Sequence, residues 1–205
     1  MLIAWIDLID DGAKWTDIVS SISNVIICLA AIFGVYCAFS WKEEKLKQKR
    51  FEVALEYYNE FRMITLNASV ISLIIKNSLT SKIYMLKNKD DKELIRAYIA
   101  DIEILAQKVF SYRVRFDSCL NSISAYDMRI LDSKVNVISG KYIDFLKNAM
   151  SILYDSSHGV IDESIVLLSN DSFESFQLLF DEIMVDKEYI SKINIKKMID
   201  LNYSF

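Results

Sequence analysis

Residues Ile18 to Ser40 form an unbroken run of 23 residues without a charged side chain, with Trp15 before it and Trp41 directly after. A helix needs about 20 apolar residues to cross the hydrocarbon core of a bilayer. Tryptophan concentrates at the water–lipid boundary on either side. The two indoles lie 26 residues apart in the chain, about 39 Å along a helix rising about 1.5 Å per residue. That is close to the roughly 40–45 Å of a bilayer with its headgroups. The pattern predicts one transmembrane helix over residues 16–41, with Trp15 and Trp41 as its membrane-interface residues. The competing reading is a buried helix of a soluble protein, which seldom carries matched tryptophan flanks and a strongly basic end. A cleaved signal peptide wants a basic start and an apolar core of about 7–15 residues. Here the start is acidic and the core is too long, so the expectation is an uncleaved anchor.

The flanking charges predict an orientation. Asp7, Asp10, Asp11, Asp17 and a single Lys14 stand on the N-terminal side, against Lys42, Lys45, Lys47, Lys49 and Arg50 on the other. Basic residues close to a span face the cytoplasm, so these five are the topology-determining residues. The N-terminus is expected outside and the large C-terminal part in the cytoplasm, at a bacterial inner (plasma) membrane. Residues 1–15 are then a short extracytoplasmic segment, too short to fold alone. Its apolar start, Met1 to Ile9 with Trp5 inside, suits a helix lying flat in the headgroup layer.

The span carries a further pattern. Ala30, Gly34 and Ala38 recur every four residues. Such a row of small side chains lets helix backbones approach closely. Asn24 is costly to expose to lipid, and a hydrogen bond between spans would satisfy it. These four are the expected span-packing residues, and membrane lipid and a second copy of the chain are expected partners.

Beyond the span, residues 42–50 (WKEEKLKQKR without its Trp) read as a charged stalk, and residues 51–205 as a cytoplasmic helical bundle. The chain has no proline and four glycines. Turn-rich β folds and α/β enzymes with glycine loops need more of both, and helix interiors exclude both. The fold class is therefore all-α: an N-terminal transmembrane helix followed by an antiparallel helical bundle. Residues 42–205 hold 23 Lys plus Arg and 24 Asp plus Glu. That balance lacks the basic excess of a nucleic-acid binder, so no direct nucleic-acid contact is expected.

Periodicity places the helices. The first continues out of the span to about Asn77, with Phe51, Leu55, Tyr58, Phe61, Ile64, Ala68, Ile71 and Ile75 as its apolar face, and a loop within Ser78–Lys89. The next starts at Asp90 with Glu93 three residues on, a capping-box spacing. Its stripe is Ile95, Tyr98, Ile102, Leu105, Val109, Tyr112, Phe116, Leu120 and Ile123. A further stripe runs Val135, Ile138, Tyr142, Phe145, Ala149, Ile152 and is expected to end near Asp155, before the loop signal Ser156–Ser157–His158–Gly159. Ile161 to Leu168 read as a short helix. Asp171 and Glu174 read as another capped start ahead of Phe173, Phe176, Phe180 and Ile183. The tail from Lys187 either prolongs that helix or forms a separate one.

Little in the sequence points to catalysis. The one histidine, His158, reads as a solvated loop residue, and three scattered cysteines form neither a zinc motif nor a disulfide framework. Glycines at 12, 34, 140 and 159 make no phosphate cradle or nucleophile elbow. Asp90–Asp91 fits helix capping better than acid–base work. No catalytic residue, cofactor or metal ligand is expected, and the chain is not expected to be an enzyme. The aromatics Tyr57, Tyr58, Phe61, Phe110, Tyr112, Phe116, Phe173, Phe176 and Phe180 recur at helical spacing, the mark of core packing. Phe110 lies off the stripe, where it either broadens the core face or marks a partner surface.

The Trp41–Lys42 exit, the charged stalk with Arg50 and the following Glu52-Val-Ala-Leu-Glu56 resemble a loose class of small bacterial single-span, membrane-anchored helical proteins. The resemblance covers residues 16–60. Some members of that class lie in anti-phage defence operons as membrane effectors. It implies a membrane effector or accessory subunit whose bundle binds a cytoplasmic protein and whose spans cluster. The alternative is a passive membrane scaffold or adaptor.

Overall fold

The computed structural model describes residues 15–87, 91–161 and 170–200. Six helices occur among them: α1 Trp15–Lys87, α2 Lys92–Ala125, α3 Ser133–Ile161, α4 Asn170–Val185, α5 Lys187–Lys192 and α6 Ile195–Met198. Among the described residues the sole β feature is one antiparallel bridge, Ile130 with Ile199. The chain is all-α. It divides into two compact units, Met1–Lys49 and Arg50–Phe205.

In the first unit the described residues are all helical, and none of residues 17–49 is buried. Ser21 donates its hydroxyl to the Asp17 carbonyl one turn back (2.8 Å), so this polar side chain is satisfied within the helix. The expected flat helix at Met1–Ile9 lies outside the described residues.

The second unit holds the core. Its register can be read from pairs of residues. Tyr57 and Glu60 of α1 meet Phe116 and Arg115 of α2, while Ser78 meets Tyr98. As one number rises the other falls, so α1 and α2 are antiparallel. On α3, Lys141 and Phe145 meet Glu182 and Phe176 of α4, and Lys134 meets Asp186 just past its end, again antiparallel. Tyr57 bonds Ser139 at 2.9 Å and Lys82 feels Asp155, so α1 and α3 run parallel. The four long helices thus alternate in direction around one core, the arrangement of an up-and-down bundle.

Aromatic rings cross that core from helix to helix. Tyr57 packs on Phe116 (5.9 Å between centroids), Phe116 meets Tyr142 edge-on (5.1 Å), and Phe145 stacks on Phe176 (4.7 Å). Tyr57, Phe61, Phe116 and Phe176 are buried, and Tyr58, Tyr112, Phe173 and Phe180 pack partly buried against them. Phe110 is half exposed and stands outside the core.

Several boundaries differ from expectation, each for a local reason. The helix α1 runs on to Lys87, because nothing between residues 77 and 87 breaks it. Its inward face leads with Val53, Ala54 and Tyr57, whereas Phe51 and Leu55 are exposed. Counting back from Phe61 in steps of four and three reaches Tyr57 and Ala54, not Tyr58 and Leu55. The cap of α2 is Asp91, whose carboxylate accepts from the amides of Glu93 (3.1 Å) and Leu94 (3.0 Å); Asp90 lies outside the described residues. The α2 end is closed without glycine. Asp127 takes φ 54°, the Met128 amide donates to the Ile123 carbonyl and the Asp127 amide to the Ser124 carbonyl. This is the paired bonding of a left-handed helix stop, with Met128 and Ile123 both buried beside it.

The expected loop at Ser156–Gly159 is helical, and α3 reaches Ile161. Ser156 is fully buried, and Ser157 donates to the Tyr154 carbonyl (2.8 Å). Packing outweighs the roughly 1 kcal/mol that one helical glycine costs. His158 is therefore helical rather than in a loop. The helix expected at Ile161–Leu168 lies beyond the described residues after Ile161, and α4 begins at Asn170, one residue before Asp171. The tail forms the two short helices α5 and α6, and Tyr58 donates to the Ile193 carbonyl between them (3.2 Å).

Candidate membrane-spanning segment

One helix, α1, is long and apolar enough to cross a membrane, and its most apolar stretch has no buried residue. Phe33 is 68% exposed and Ile32 67%, although residues of this kind are the first to be buried in a water-soluble protein. Trp15 and Trp41 are exposed at the two ends of this stretch. The Lys45 ammonium lies 6.0 Å from the Trp41 ring centroid, at the outer limit of a cation–π contact.

Ala30, Gly34 and Ala38 lie on one side of the helix, because steps of four return to nearly the same direction. A methyl group added at Gly34 would meet nothing within 4 Å. Among the described residues this face is bare, and Asn24 is likewise exposed. Lys42, Lys45, Lys47 and Lys49 are exposed on the following turns, and Arg50 is half-buried in the second unit. The structure thus lays the expected residues along one helix in sequence order.

The second unit carries polar groups that the sequence did not single out. Lys82 is 5% exposed, and among the described residues its ammonium has no hydrogen-bond partner. Among the described residues the buried hydroxyls of Ser78 and Ser156 make no hydrogen bond of good geometry either, although both serines lie near enough to Tyr98 to counter the rise that burial gives its hydroxyl. Tyr98 donates weakly to the Ser78 carbonyl at 3.4 Å. Burial holds the Lys82 ammonium below the ordinary lysine value, and the Asp155 carboxylate pulls it back up. Tyr57 is pushed up to about 12 by burial, against its bond to Ser139. The Cys119 thiol is pushed up to about 11, first by burial and then by Glu56 and Glu60. A thiol so raised is a weak nucleophile. Cys28 and Cys37 are exposed in the apolar stretch.

Near the bundle end, Asp132, Lys134, Tyr189, Glu188, Lys192 and Lys197 border a shallow open depression. Several of these groups are paired: Lys134 with nearby Asp186 at 2.8 Å, Lys192 with Glu188, and Tyr189 donating to Asp132. The Tyr189 bond is the largest cause holding the Asp132 carboxyl below its usual range. Among the described residues no group of three or more His, Cys, Asp or Glu could hold a metal ion.

Comparison with protein-family models, with curated proteins and with solved structures finds no match.

Proposed function

We propose that the chain is a membrane-anchored helical effector or accessory subunit. Its span sits once in a bacterial inner membrane, N-terminus out, and its bundle acts in the cytoplasm by binding a protein partner and by clustering. The observation that carries this reading is the wholly unburied apolar stretch of α1 between Trp15 and Trp41. Leaving that much apolar surface in water is costly, at about 25 cal/mol per Å², and a bilayer removes the cost. The one-to-five asymmetry in flanking basic residues supports the orientation. The bare Ala30–Gly34–Ala38 face supports clustering of spans. The resemblance to single-span proteins of anti-phage operons favours an effector that disturbs the membrane once clustered.

Gly34→Ile tests this reading. It keeps the span apolar, so insertion should survive, but it blocks close approach of backbones. Induced expression of the wild-type chain should depolarise cells in a potential-sensitive dye assay, and Gly34→Ile should reduce both depolarisation and the oligomer recovered from membranes. Unchanged oligomer and unchanged depolarisation would sink the clustering account. Wild-type expression without any depolarisation would favour the passive scaffold.

A further inference from the structure

We propose that the outward face of α1 within the bundle, built on Met63, Leu66, Val70 and Leu73, is the docking surface for the same face of a second copy, the two helices lying parallel. The proposal rests on the membrane-anchored reading above and names the surface through which the bundle takes part in clustering.

Between Arg62 and Lys76 the chain has 13 consecutive residues without a charge, in a protein whose residues are one-quarter charged. One face of that stretch is accounted for by the bundle. Phe61, Ile64, Ala68, Ile71 and Ile75 are fully buried, in steps of three, four, three and four. The other face repeats the pattern two residues later: Met63, Leu66, Val70 and Leu73, in steps of three, four and three. Two residues turn a helix by about 200°, so the second row faces away from the first; Val70 at its inner edge packs partly buried against the core, while Met63, Leu66 and Leu73 stand out from it. Leu66 is 54% and Leu73 60% exposed, with Met63 exposed and Val70 half-buried.

Scattered surface leucines need no explanation, whereas an apolar row at heptad spacing is the pattern by which one helix packs on another. In heptad terms Met63, Val70 and Asn77 take the a positions, and Asn59, Leu66 and Leu73 the d positions. Leucine at d with a β-branched residue at a favours two parallel strands, and an asparagine at a fixes their register. Two chains inserted the same way into one bilayer offer each other this helix in parallel, which selects a second copy over a foreign helix. The row spans fewer than three heptads, and helices that short are marginal alone.

The test uses the full chain in membranes with Cys28, Cys37 and Cys119 replaced by alanine. Single cysteines are placed by Leu66→Cys, Leu73→Cys and, as an exposed control on α4, Leu178→Cys. Mild oxidation should give disulfide dimers at 66 and 73 at least tenfold above the control. The double variant Leu66→Glu/Leu73→Glu, which spares the buried core, should keep the wild-type urea midpoint while the dimer captured by a lysine-reactive cross-linker falls at least tenfold. Equal oxidation at all three positions would overturn the proposal. So would a lysine-cross-linked dimer without disulfides at 66 and 73, which leaves the clustering reading standing and removes this surface. Absence of any dimer would overturn both. Shielding of the 66 cysteine from maleimide without disulfide formation would assign the face to a different protein and overturn the second copy.

Discussion

Replacing Lys82 with methionine should make the bundle more stable, contrary to the usual outcome of altering a buried position. Lys82 is 5% exposed, and its ammonium has no hydrogen-bond partner among the described residues. An unsatisfied buried polar group costs about 1–3 kcal/mol, more when charged, and the attraction of Asp155 offsets part of this. Methionine keeps an unbranched chain of similar length, and Asp155 is exposed, so the substitution leaves no new buried charge. The net expectation for Lys82→Met is a gain of about 1–3 kcal/mol, which in a bundle of this size raises Tm by about 2–4 °C per kcal/mol. The pH dependence carries the sharper signature. The folded state holds this proton less tightly than the unfolded chain, so the penalty is complete below the folded pKa. It disappears as pH rises toward the unfolded lysine value near 10.4. Wild-type stability should therefore climb relative to Lys82→Met across that alkaline window, and the two should converge above it. Urea denaturation of residues 50–205, a compact unit with its own core, at a series of pH values measures this. A destabilised Lys82→Met, or a stability difference independent of pH, would refute the reasoning.

Two further substitutions probe the bundle. Phe145→Ala removes a fully buried ring that stacks on Phe176 at 4.7 Å, so it should cost about 3–5 kcal/mol in the same urea assay, whereas Phe110→Ala at an exposed site should stay within about 0.5 kcal/mol. Tyr189→Phe removes the main bond holding the Asp132 carboxyl down. That stabilisation is present above the unfolded carboxylate pKa and lost as pH falls through the folded one, so the variant should lose stability near neutrality and match the wild type in strong acid.

What the sequence made legible was whatever a single helical face decides. The α2 stripe alternates in the structure between buried Tyr98, Ile102, Val109, Phe116 and Ile123 and half-buried Leu105, Tyr112 and Leu120. That is how a helix looks when it lies against neighbours on one side. The α3 stripe, Val135 to Ile152, is buried throughout. Less legible was anything set by contact between helices. Ser156 and Gly159 signal a turn locally, and only the packing of Ser156 keeps α3 going. Asp127 stops α2 in a conformation usually left to glycine, so no glycine marked the spot. A lysine reads as solvated, and Lys82 is buried only by the packing of the bundle, near Asp155 of α3. In α1 the sequence contained two apolar rows, and following Tyr58, Leu55 and Phe51 mixed one into the other. The long apolar helix of the N-terminal part was legible because length and composition alone mark it, without reference to the rest of the chain.

The central claim is that the chain crosses a membrane once with its bundle in the cytoplasm. Protease treatment of inverted inner-membrane vesicles, washed first with alkaline carbonate, tests it most directly. The full-length chain should remain with the washed vesicles. Protease should then remove the bundle and leave a small protected fragment containing Trp15 to Trp41. Release of the chain by carbonate, or a bundle protected inside the inverted vesicles, would contradict the account.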